Sequence, residues 1–253
     1  MTGVWVQRAG QLEERQRRIL RLLQDLEKRV CRKEEEMVGL RHGGLLTVRA
    51  ESGDWEESCQ AFGTEVARVR DGCLSLGLRH VFFRFVPEEC PYYEHWDYRQ
   101  RIRALGGYSI HQLCKTILLE NTRCTRQDCK QPHNSRYYAV VVQYTTKLQS
   151  QKLIKFLRSL PQNKHISKKS WNFCLADEEA TYHLTRFSKN ALSPIAAEFA
   201  EDIPIVLSDS IARLDPPFIW LGGGQVNVKL GVDVREFIQK THCFVADVCV
   251  DAS

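Results

Sequence analysis

The chain has 253 residues, of which 43% are apolar, and a net charge of +5. That apolar share supports a substantial core and excludes global disorder, while the mild basic excess admits a nucleic-acid partner without demanding one. No apolar run reaches the roughly 20 residues of a membrane span, no secretory leader is visible, and ten scattered cysteines read as free thiols, so a cytoplasmic protein without membrane attachment is expected.

Residues 7–41 lack proline and repeat Leu12, Ile19 and Leu26, then Leu23, Val30 and Met37, at heptad spacing. This predicts a long amphipathic helix whose stripe packs on its own domain, on a second copy as a coiled coil, or on another protein. Gly39 and Gly43-Gly44 end it and open a linker. The chain therefore divides into a helical segment over 1–44 and a main domain over 45–253. "DWEESCQAFGTEVARV" follows with Trp55, Cys59, Phe62 and Val66 at helical spacing and an N-cap at Ser52-Gly53-Asp54. "HVFFRFVP" (80–87) is a strand ended by Pro87. "CPYYEHWDYRQRIRALGG" (90–107) interleaves Tyr92, Tyr93, Trp96 and Tyr98 with Arg99, Arg101 and Arg103. It reads as a base-stacking surface or as a helix that packs its rings and leaves the arginines wet.

Ser109 caps a short helix, "SIHQLC". Lys115 then stands at the head of an apolar strand over 116–120. "SRYYAVVVQY" (135–144) is a further strand, and "TTKLQSQKLIKFLRSL" (145–160) an amphipathic helix with Leu148, Leu153, Phe156, Leu157 and Leu160 inward. "EEATYHLTRF" (178–187) is another helix. "IPIVLSD" (203–209), "PFIWLGGG" (217–224) and "VNVKLG" (226–231) are strands. "DVREFIQKT" (233–241) is a helix capped by Asp233, and "CFVADVCV" (243–250) is a last strand. The order predicts an α/β protein with a mixed sheet and helices packed on it.

The chemical signals are few. Cys124, Cys129 and His133 have the spacing C-x4-C-x3-H, a weak zinc candidate that lacks a fourth ligand. Gly222, Gly223 and Gly224 form either a hairpin turn or a backbone surface that a substrate can approach closely. Ser193-Pro194 fixes a loop in which Asn190 is the residue best suited to a positive φ. Lys164, His165, Lys168 and Lys169 lie beside a helix carrying Lys152, Lys155 and Arg158. They form either a solvated face or a patch for an RNA acceptor stem. No Ser–His–Asp or Cys–His arrangement and no carboxylate pair is recognisable.

Three of these features occur together in an order that resembles the YbaK/prolyl-tRNA-synthetase-associated domain family. Lys115-Thr116-Ile117-Leu118-Leu119 resembles that family's lysine strand. "LTRFSKNALSPIA" (184–196) is similar to its threonine-glycine turn and glycine-x-x-x-proline loop. "IPIVLSD" followed by "FIWLGGGQVNVKLGVDVREFI" resembles its closing strands, glycine turn and final helix. The likeness covers residues 80–245. Here Arg186 stands for the turn glycine, Asn190 for the first loop glycine and Ala196 for a later one.

The resemblance implies a mixed α/β fold and an editing deacylase that hydrolyses the ester joining a wrong amino acid to a tRNA. That amino acid is usually alanine or cysteine, carried on tRNA for proline. No cofactor is implied, and neither a metal nor a protein nucleophile is required. Lys115 would be the catalytic residue, beside the terminal nucleotide and the ester, with Thr116 next to it. The loop Asn190, Ala191, Leu192, Ser193 and Pro194 would screen the amino-acid side chain. Ser208 or Asp209 would replace a family aspartate, and Gly222, Gly223 and Gly224 would form the turn. The implied partners are mischarged aminoacyl-tRNA and, through the N-terminal helix, an aminoacyl-tRNA synthetase or synthetase complex. Two other expectations compete. One is a catalytically inactive tRNA-binding or scaffold subunit of a synthetase. The other is a zinc-dependent RNA-binding module built on Cys124, Cys129 and His133.

Overall fold

Alternation in the strands between positions 81 and 233 sets the architecture. In the computed structural model, β2 (Val81–Phe85) pairs antiparallel with β9 (Val228–Asp233), and β9 pairs antiparallel with β8 (Phe218–Gly222). β1 (Leu46–Arg49) completes this four-stranded sheet on the far side of β2. Successive side chains point to opposite faces. Val81, Phe83, Phe85, Val228, Leu230, Val232, Ile219 and Leu221 therefore gather on one face, in the main core. The structure describes residues 46–49 (backbone only), 63–86, 95–126, 128–195 and 203–251, all within the unit Arg41–Ser253. The predicted helix over 7–41, the side chains of Trp55, Cys59 and Phe62, and Ala196 lie outside the described residues.

The second sheet is mixed, as expected, with strand order β10-β7-β4-β3-β6. β3 (Cys114–Asn121) and β4 (Tyr137–Gln143) form its antiparallel centre, and β6 (Phe173–Leu175) adds to β3. β7 (Ile205–Ser208) runs parallel to both β4 and β10 (Phe244–Ala246). β4 is an unbroken apolar run because both its faces are covered. Tyr138, Val140 and Val142 pack with Leu153, Ile154 and Leu157 of a helix, while Val141 joins the main core. The two sheets meet where Leu113 bridges Trp220 in parallel.

Six helices occur among the described residues: α1 (Gly63–Ser75), α2 (Tyr98–Ala104), α3 (Ser150–Ser159), α4 (Glu178–Thr185), α5 (Asp209–Ala212) and α6 (Val234–Thr241). Their ends follow from local chemistry. Asp97 accepts from the Gln100 amide and Gln100 accepts in turn from the Asp97 amide, a reciprocal cap for α2. Asp233 caps α6 through the Glu236 amide, as its position predicts. Ser109 caps a single 3-10 turn, Ile110–Gln112.

Two expectations are corrected. The segment 145–160 is not one helix. Tyr144 and Thr145 form a turn, and β5 (Thr146–Leu148) pairs with β11 (Cys249–Asp251) before α3 begins. The segment 243–250 is likewise two strands, because the chain leaves β7 after Ala246 to reach β5. Each half depends on the other, and a partner about 100 residues away leaves no local periodic signal.

Candidate functional site

β3 enters the sheet at the junction with β8, and a pocket of about 380 Å³ opens there. Leu113, Cys114, Lys115, Thr116 and Ile117 form one wall. Trp220, Leu221 and Gly222 of β8 and Lys229 of β9 form another. Tyr144, Arg101 of α2 and the loop residues Lys189, Asn190 and Leu192 complete it, with Leu175 alongside.

Lys115 is the second residue of β3, in register with Val142, and is partly buried. Its ammonium lies 5.5 Å from the centroid of the Tyr144 ring. Tyr144 stands 5.7 Å from Tyr98, whose ring carries the Arg101 guanidinium at 5.6 Å. Two cations thus flank a pair of rings along the pocket edge, each cation within the range of cation–π attraction. Among the described residues Lys115 makes no hydrogen bond or ion pair with another side chain, so the Tyr144 ring is what holds its head. Next to it the Thr116 hydroxyl is buried without a hydrogen-bond partner, and so is the Trp220 indole N–H. Leaving such a group unpaired costs about 1–3 kcal/mol.

The floor comes from the second face of the four-stranded sheet. By alternation that face carries Phe82, Arg84, Phe218, Trp220, Gly222, Lys229 and Gly231. The Trp220 ring lies over Gly231, where any side chain would collide with it. Arg84 is 5% exposed, donates to the Ala104 carbonyl at 2.8 Å and sits 5.7 Å over the Trp220 ring. Lys229, also 5% exposed, donates to the Val226 carbonyl at 2.7 Å. Burial, and then the charge of Arg101, lower its pKa to about 7.

Asn190 adopts φ 66°, the conformation expected of it, and Arg186 ends α4 at φ 56°. Both positions demand the left-handed region that glycine enters most easily. The loop then docks on the glycine turn. The Gly224 amide donates to the Ala191 carbonyl at 3.2 Å, and a Cβ on Gly222 would meet the Leu192 oxygen at 2.5 Å. Gly223 and Gly224 face Val228 and the backbone of Glu65. In this arrangement the turn receives the protein's own loop.

The structure thus gathers Lys115, Thr116, Asn190, Leu192 and Gly222 around one pocket. Ala191, Ser193 and Pro194 are buried behind its rim, with the Ser193 hydroxyl accepting from the Ile195 amide. Ser208 and Asp209 do not line it. Ser208 shares a hydrogen bond with Ser210, and Asp209 pairs with Arg213. Lys164, Lys168 and Lys169 are exposed on turns after α3 and are not part of the pocket. Lys152 of that helix is held by Asp247 and the Cys249 carbonyl. Cys129 packs with Leu118, Ala139 and Ile203, and no group of three metal-ligating side chains is found among the described residues. Sequence reasoning singled out Tyr98 and Arg101 as one possible stacking surface. It passed over Tyr144, Trp220 and Lys229, for which only the lysine inside "VNVKLG" gave a signal.

No protein-family model and no curated protein sequence matches the chain. Solved structures do. A proposed trans-editing enzyme for prolyl tRNA synthetase is 15% identical, with a TM-score of 0.54 over 76% of this chain and 99% of that one. A scaffold protein for computational epitope grafting is 16% identical, with a TM-score of 0.53 over 76% of this chain and all of that one. A hypothetical protein is 17% identical, with a TM-score of 0.53 over 72% and 99%. At such identities the likeness shows the fold: a mixed α/β domain like that of the proposed trans-editing enzyme. No helix among the described residues is long and apolar enough to cross a membrane.

Proposed function

We propose that the chain is an aminoacyl-tRNA deacylase of the YbaK/prolyl-tRNA-synthetase-associated kind, acting in trans on a mischarged tRNA. Alanine and cysteine on tRNA for proline are the first substrates to test. The observation that carries this reading is the Lys115 ammonium, held at the pocket wall by the Tyr144 ring.

An aminoacyl ester on a nucleic acid brings what such a wall accepts. Its phosphate and its carbonyl oxygen are acceptors, and the oxygen gains negative charge as the carbonyl is attacked. A cation fixed on a strand stabilises that charge without reorganising. Asn190 and Leu192, the loop residues at the pocket, screen the amino-acid side chain, and Ala191, Ser193 and Pro194 back them. A pocket of about 380 Å³ suits the end of a single strand, within the roughly 300–1,000 Å³ typical of small-ligand sites. The likeness to a proposed trans-editing enzyme supports the same reading.

The test is deacylation of a panel of mischarged tRNAs by the purified full chain, corrected for spontaneous hydrolysis. Faster loss of alanine or cysteine from tRNA for proline is expected. Binding without hydrolysis would favour an inactive tRNA-binding or synthetase-associated subunit. Neither binding nor hydrolysis would overturn the reading.

A further inference from the structure

A second lysine lines the same pocket, in an environment unlike that of Lys115. Lys229 sits on β9 between Val228 and Leu230, which turn into the main core, so its own side chain turns to the pocket. One of its hydrogen bonds goes to a neutral group, the Val226 carbonyl at 2.7 Å. An amine makes that bond as well as an ammonium does, and as an amine it keeps a lone pair. Arg84 is in register with it on β2, and Arg101 of α2, Lys115 of β3, Tyr144 of the turn after β4 and Lys189, whose ammonium pairs with Glu178, line the same pocket. Burial first and the Arg101 charge second bring its proton affinity to about 7.

We propose that Lys229 is the general base of the deacylation, with Lys115 as the fixed cation, an assignment that rests on the deacylase reading. The Lys229 amine takes a proton from water as the water oxygen bonds to the ester carbonyl carbon. The carbonyl electron pair moves to its oxygen, beside Lys115. Collapse of this intermediate breaks the bond to the ribose oxygen, which takes the proton back from the Lys229 ammonium. Ester and water become carboxylic acid and ribose hydroxyl, and the acid loses its proton to solvent. Two lysines thus divide the work by environment: the less buried one supplies charge, and the buried one moves the proton. Base catalysis of this kind contributes about 100- to 10,000-fold in rate when the group titrates near the working pH.

The test is single-turnover hydrolysis by the full chain between pH 6 and 8. The substrate is whichever of alanyl- or cysteinyl-tRNA for proline the wild type hydrolyses faster. The wild-type rate should rise with pH through an inflection near 7. Lys229→Arg keeps the charge but cannot lose its proton in this range. It and Lys229→Met should lose about 100-fold or more in rate, and lose the inflection, while tRNA binding is retained. A Lys229→Arg protein with the wild-type rate and inflection overturns the assignment and leaves the deacylase reading standing. A wild type inert toward both substrates removes the deacylase reading and this assignment with it. Should either variant fail to fold, NMR titration of Lys229 in the wild type decides: an ammonium that persists to about pH 10, the ordinary lysine value, excludes the role.

Discussion

The two faces of the β1-β2-β9-β8 sheet are made by the same strands, yet they serve different ends. One face presents Phe83, Leu230, Ile219 and their neighbours to Val66, Val69 and Cys73 of α1 and to Phe237 of α6, and it is filled with apolar side chains. The other presents Arg84, Trp220 and Lys229, at 5%, 6% and 5% exposure. It is covered by Ile102 of α2 and by Leu105 and Leu113, and it borders a cavity. What is buried tells the faces apart more than how deeply it is buried. The first face lowers the free energy of folding by removing apolar area from water. The second also buries apolar side chains, but it takes two cations and the Trp220 donor out of water with them, which costs free energy. A cost of this kind is characteristic of a face kept for binding and chemistry.

Substitutions on each side sharpen that contrast. The largest stability effect is expected on the filled face. Phe83→Ala should cost about 3–5 kcal/mol, read as a lower denaturation midpoint at unchanged slope. On the pocket side the effect should fall on rate instead. Lys115→Ala should slow deacylation by about 100- to 1000-fold while changing stability by no more than about 0.5 kcal/mol. Lys115→Arg should also be strongly impaired, because a planar fork does not replace a compact ammonium. A Lys115→Ala enzyme at the wild-type rate would remove the assignment of this residue.

Lys229 tests the idea that the second face strains the fold. Its folded pKa, about 7, lies below the roughly 10.4 of an unfolded lysine. Between these values the unfolded chain holds the proton that the folded chain lacks, so stability should rise with pH across this window and be flat below it. Lys229→Met should abolish that slope and raise stability at neutral pH by roughly 1–3 kcal/mol, as replacement of buried charge by apolar side chains often does. Chemical denaturation at pH 6, 8 and 10 measures both effects, and a variant that keeps the slope would refer it to another group.

The smallest effect is expected far from either face. Lys164, Lys168 and Lys169 are exposed. Replacing all three with alanine should leave the fold intact and weaken tRNA binding modestly. If they touch phosphates, the salt slope of binding should flatten by about 0.7–0.9 for each phosphate no longer neutralised. An unchanged slope would exclude the patch.

The features legible in the sequence alone were local. The alternation of "HVFFRF", the unbroken run "YYAVVV", the cap at Asp233 and the positive φ of Asn190 are written in neighbours two to four positions apart, because pleat, helix turn and cap each act over that distance. These local elements were enough to indicate a mixed α/β fold, and to place Lys115 where a strand enters the sheet. Tertiary structure decided the rest. In "VNVKLG" the lysine alternates with Val228 and Leu230, the pattern of a cation facing water. It is buried only because α2 and the residues after it, more than 100 positions earlier, cover that face. The same distance explains the division of 243–250 between β7 and β5, and the pocket that sets Trp220 and Lys229 beside Lys115. Burial, and with it the proton affinity of a lysine, is a property of what the rest of the chain lays over it, and a local pattern carries no record of that.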